Sequence, residues 1–179
     1  MKMGKRNRNL TGALPLKDIT QVGMMVAVIE VCKMALSFLP NIELTSFWLI
    51  MFTLLFGWKV FLVIPVFILI EGCIYGFGIW WLMYLYVWPL LVLLAWKFRK
   101  EESPWFWSVL SGMFGLGFGL LCSVPYFVIG AADGLRQGLH AGFAWWVSGI
   151  PWDIGHCVGN FVLMSVLYRP IRSIMSRLK

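Results

Sequence analysis

Asp153, His156 and Asn160 are spaced i, i+3 and i+7, so on a helix all three project from one face. A carboxylate, an imidazole and an amide on one stripe supply both acceptors and donors, which suits contact with a polar ligand. Alone, Asp153 would simply favour the positive end of a helix, and His156 would read as a satisfied core histidine. Their shared stripe is what favours a ligand. A second constellation lies near the N-terminus, where Glu30 and Lys33 stand three residues apart in an apolar stretch, with Ser37 one turn further on. The spacing lets the two charges neutralise each other, and intramembrane charges usually mark sites. The bland alternative is an ion pair that only fixes helix packing.

Aromatic residues crowd Tyr75 to Tyr86 and Trp145 to Trp152. Many of these belong to an interfacial belt, while one or two stacked on a ligand would complete a dry pocket with a few placed polar groups. Gly23 and Ala27 form a small-xxx-small pair that lets a second helix approach closely, from this chain or from a partner.

Enzyme chemistry finds little to build on. With two histidines, no HExxH, no GxSxG and no cysteine beside a plausible base, neither a metal triad nor an activated nucleophile assembles. Asp153 and His156 make at most a minimal acid/base pair. Gly115 to Gly119 lies inside an apolar helix, where GxxxG packing is expected rather than a nucleotide loop. Cys32, Cys73, Cys122 and Cys157 are dispersed and read as free thiols.

The elements that must position these residues follow from composition. The 179 residues are 60% hydrophobic, 17% aromatic and 13% charged, far from a soluble domain with a polar surface, so the surface faces lipid. The expected fold is an all-α membrane protein: one bundle of six transmembrane helices near 19–39, 42–56, 60–74, 81–96, 105–129 and 151–168. Residues 1–18 form a retained cytoplasmic tail, since no small-residue cleavage site follows the basic start. Residues 130–149 are too polar and glycine-rich to span, and Pro151 suits a first helical turn.

The second and third segments are each shorter than the ~20 residues that usually cross a bilayer. Charge placement favours two helices over one. With six spans, every Lys and Arg except Lys33 and Arg136 falls at a cytoplasmic end, whereas five spans would put Lys97 to Lys100 outside. Both termini are then cytoplasmic, in the plasma membrane. The net charge of +7 is a topology signal, and nucleic acid is not an expected partner. Glu43, Glu71, Asp133 and Asp153 gather on the outer side.

The segments Gly23-Met-Met-Val-Ala27, the stretch from Lys33 to Glu43 (KMALSFLPNIE) and GIPWDIGHCVGNF before a basic C-terminus resemble the substrate-binding S components of energy-coupling factor vitamin transporters. The likeness covers nearly the whole chain. It implies a non-catalytic, six-helix prokaryotic binding subunit that captures a vitamin or related micronutrient at the outer face. Such a subunit then topples while docked on a transmembrane coupling protein driven by two ATPase subunits. By that likeness Gly23 and Ala27 would be docking contacts, with Gly in place of the usual first Ala. The family's ligand residues vary, so the expected set of Lys33, Asn41, Glu43, Glu71, Trp80, Asp153, His156 and Asn160 rests on position alone. No cofactor is expected. A zwitterion or cationic heterocycle suits the acidic mouth, while a carboxylate ligand could displace Glu30 from Lys33. Competing readings are a scaffold of a membrane complex and a small intramembrane hydrolase.

Overall fold

The computed structural model describes residues 15–38, 42 and 44–177, and the described residues are helical with no strand. The longer helices are α1 (Leu16–Ala35), α2 (Thr45–Phe56), α3 (Val60–Tyr75), α4 (Ile79–Lys97) and α5 (Pro104–Leu116). Two short ones follow, α6 (Phe118–Cys122) and α7 (Val124–Gly130), before the 42-residue α8 (Leu135–Ser176).

Among the described residues, three helical stretches are by length and composition apolar enough to cross a membrane: Thr45–Tyr75, Ile79–Lys97 and Leu135–Ser176. A fourth is added if Pro104–Leu116 and Phe118–Asp133, bent by 41°, count as one. The protein is thus compatible with a multi-pass membrane protein, its apolar side chains turned outward because lipid is the solvent.

Helix directions follow from side-chain contacts. Lys59, in the turn after α2, donates to Asp18 in the first turn of α1, and Lys33 near the end of α1 pairs with Glu71 near the end of α3. So α1 and α3 run the same way. Trp48 Nε1 lies 3.2 Å from Cys32 Sγ, which brings the start of α2 to the end where Lys33 meets Glu71. A straight helix over Thr45–Tyr75 would separate residues 48 and 71 by about 34 Å. The stretch is therefore folded back at Gly57, which adopts φ +68° and ψ −140°. Helix α4 returns antiparallel to α3, with Trp81 Nε1 donating to Ile68 O at 2.9 Å.

Gly57 has two reasons to be glycine: its positive φ, and an added Cβ only 3.0 Å from the Trp96 ring. Gly57→Ala is expected to lower stability by about 1–3 kcal/mol, measured by detergent-titrated unfolding. An unchanged midpoint would mean that the turn is not formed.

The second half of the fold is a seam of glycines. Ser103 caps α5 by accepting from Phe106 N at 3.4 Å, with Pro104 in the first turn. Along α5 and α6, a Cβ added at Gly112, Gly115 or Gly119 would meet Cys157, His156 or Asp153 of α8 at 3.3 Å or less. Gly115 and Gly119 thus serve the GxxxG contact expected of them. The helix breaks at Gly117 and Ser123, just before Pro125 in the first turn of α7.

The last helix departs from expectation. It does not start at Pro151: α8 begins at Leu135, sixteen residues earlier, and carries both Pro151 and Pro170 in its interior. The glycines that read as a loop are its packing surface, because a Cβ on Gly138 would lie 2.7 Å from Phe127 O and one on Gly142 3.0 Å from Phe127 Cβ. Arg136 and His140 point outward. Close contact with α7 overrides a composition that disfavours helix, and neighbouring helices let a bundle tolerate an internal proline. Helix α1 also differs, ending at Ala35 rather than near residue 39.

Candidate functional site

Because α1 and α3 end, and α4 begins, at the same end of the bundle, Lys33, Glu71 and Trp80 come together there. The stripe of α8 faces them across a cavity of about 870 Å³. Its wall includes Lys33, Glu71, Trp80, Asp153 and His156, five of the eight residues expected from the sequence to bind a ligand. The volume lies within the range of small-molecule sites.

On the α1/α3 wall, Lys33 Nζ pairs with Glu71, whose side chain is 1% exposed. The ammonium also sits 5.6 Å from the Tyr75 ring centroid and 5.4 Å from that of Tyr84. Such rings favour a cation over their faces. No ion pair joins Glu30 to Lys33 among the described residues, which corrects the i, i+3 pairing. Lys33 reaches across to α3 instead, and the carboxyl of Glu30 lies against Glu71. Two acids thus share one base. Helix α3 brings a buried carboxylate that adjacency along α1 could not reveal.

On the α8 wall, Asp153 is 6% exposed, and its Oδ1 accepts from Gly119 N at 3.0 Å. Its Oδ2 is buried with no hydrogen-bond partner among the described residues. The His156 ring packs edge-on against Phe118 at 5.0 Å between centroids. Asn160, one turn further on, does not reach the cavity: it is buried between helices and its Nδ2 donates to Ser111 O at 3.3 Å. The stripe is therefore one face with two duties, its upper part lining the cavity and its lower part locking α5 to α8.

Asn41 and Glu43, also expected to bind, lie outside the described residues. Ser37, Tyr75, Tyr84, Trp145 and Trp152 line the cavity, as the crowding of aromatic residues at this end anticipates. The sequence reading missed Met83, Phe118, Gly119, Cys122 and Ser148. Gly119 carried a usable signal, since a glycine in an apolar helix marks close approach, but its partner Asp153 is 34 residues away.

The other sequence-derived pair behaves differently. A Cβ built on Gly23 meets nothing within 4 Å, and both Gly23 and Ala27 are exposed on α1. No helix of this chain among the described residues uses the small-residue pair. Met24, Val31 and Met34 extend the same outward surface.

No group of three or more His, Cys, Asp or Glu among the described residues could hold a metal ion. Compared with protein-family models, with curated proteins and with solved structures, the chain matches none.

Proposed function

We propose that the protein is the substrate-binding subunit of an ATP-driven importer of the energy-coupling factor type, capturing a vitamin-like molecule from outside. The observation that carries this reading is the cavity itself, where a half-buried Lys33 from α1 and buried carboxylates from α3 and α8 converge among aromatic rings. A bundle that served packing alone would fill such a space with apolar side chains.

In this reading α1, α2, α3, α4, the bent α5 to α7 unit and α8 make six passages, and the alternating helix directions support that count. Lys17, Lys59, Lys97, Arg99, Lys100, Arg169, Arg172 and Arg177 gather at the end away from the cavity. By the positive-inside rule that end is cytoplasmic and the cavity faces outward. Gly23 and Ala27, used by no helix among the described residues, are the contact for the transmembrane coupling protein, on which two ATPases act.

Purified full-length protein should gain thermal stability with one member of a vitamin and cofactor-precursor library, by RT ln(1 + [L]/Kd). Gly23→Leu or Ala27→Leu should abolish uptake in cells carrying the coupling module and leave that ligand's affinity unchanged, because bulk there blocks only helix approach. No stabilising ligand for folded protein, or uptake that survives both substitutions, would overturn the proposal. A scaffold would instead tolerate Asp153→Ala and His156→Ala, and a hydrolase would turn substrate over in isolation.

A further inference from the structure

The walls of the cavity carry more acid than base. Glu71 and Asp153 line it, Glu30 stands behind Glu71, and Lys33 is the single Lys or Arg among the lining residues. That ammonium is already engaged by Glu71 Oε2. Two buried carboxylate oxygens on the lining residues, Glu71 Oε1 and Asp153 Oδ2, have no hydrogen-bond partner among the described residues. A buried acceptor left without a donor is costly, and a carboxylate oxygen more so than a neutral one. The missing complement is a donor that carries positive charge.

The rings point the same way. Tyr75, Trp80, Tyr84, Trp145 and Trp152 face the same space, and aromatic faces attract cations as well as flat apolar rings. An anionic ligand would have to take Lys33 from Glu71, leaving buried Glu71 and half-buried Glu30 without a counter-charge. A neutral ligand would leave the charge excess where it is.

We propose that the cavity selects a cationic aromatic molecule, a flat ring bearing a protonated nitrogen whose N–H groups are donated to the Asp153 carboxylate. This rests on the reading of the protein as a binding subunit and names the class of its substrate. Asp153 suits the role because it lines the cavity and Gly119 N, donating to Oδ1, fixes the carboxylate, while Oδ2, packed against Gly119, has no donor among the described residues.

Three near-isosteric probes separate the charge states: benzamidine as the cation, benzamide as the neutral form and benzoate as the anion. Each is titrated against purified full-length protein, with tryptophan fluorescence and thermal stability as readouts. Benzamidine is expected to bind at least about tenfold more tightly than benzamide, and benzoate more weakly still. Asp153→Asn keeps an acceptor for Gly119 N, and should bring benzamidine down to the level of benzamide. Preference for benzoate, equal binding of all three probes, or no binding of any would overturn the proposal. So would full benzamidine affinity in folded Asp153→Asn. If that variant does not fold, the wild-type ranking of the three probes decides alone. Preference for benzoate would leave the binding-subunit reading standing, whereas failure of uptake in the docking variants bears on that reading and not on the charge of the ligand.

Discussion

Lys33→Met is expected to destabilise the bundle by about 3–5 kcal/mol, the usual cost of removing one partner from a buried ion pair. Glu71 is 1% exposed and Glu30 lies against it, so the substitution leaves two acids facing one another without a base. The methionine keeps most of the packing volume, and the loss is therefore electrostatic. In Lys33→Met/Glu71→Gln the more deeply buried of the two orphaned acids is gone, and more than half of the lost stability should return. Unfolding in mixed micelles, followed by tryptophan fluorescence, gives all four corners of the cycle. If the single substitution costs less than about 1 kcal/mol, Lys33 and Glu71 are not an ion pair in the folded protein.

The second large effect is steric. A Cβ at Gly115 would sit 2.8 Å from His156 O and 2.9 Å from His156 C, which are backbone atoms with no freedom to turn aside. Gly115→Ala should therefore push α5 away from α8 and cost about 3 kcal/mol, at the upper end for overpacking. It should also weaken binding of the proposed ligand, because Asp153 and His156, which line the cavity, move with α8. The control is Gly155→Ala on α8 itself, where an added Cβ meets nothing within 4 Å. That change should be neutral or stabilise by up to about 1 kcal/mol, since alanine favours helix over glycine. Equal melting temperatures for the two variants would mean that the α5/α8 seam is not as close as described.

How much could be read from the chain depended on whether the deciding contact was local. Composition sufficed for the helical membrane class, because lipid admits few other folds for such a chain. The fifth span, expected from 105, begins at Pro104, where the deciding contact is a Ser103 cap that lies within four residues. Asp153 and His156 were found from spacing on one helix, and both line the cavity. Lys33 was found for the same reason, but its partner was misassigned. Glu30 is three residues away and Glu71 thirty-eight, and only the parallel packing of α1 and α3 makes the distant one the closer. The start of α8 was misplaced because Gly138 and Gly142 are helix breakers by propensity and helix packers by position, and the sequence around them does not show α7.

The length of α8 carries a mechanical consequence. Its 42 residues extend about 63 Å, roughly twice the hydrocarbon thickness of a bilayer. At the basic end it is tethered where Tyr168 OH donates to Glu102 O at 3.4 Å, and where Arg172 reaches Glu102 at 3.5 Å. Trp145 on the cavity wall lies 23 residues before Tyr168, a lever arm of about 35 Å. Between the two points α8 is clamped to α5 at Gly115, before Trp145 it is clamped to α7 at Gly138 and Gly142, and Trp145 itself stacks on Tyr126 at 3.9 Å, so this length moves together with α5 to α7. One helix thus joins the basic end of the bundle to the rim of the cavity, so a displacement imposed at the basic end reaches the cavity wall through the whole α5 to α8 unit.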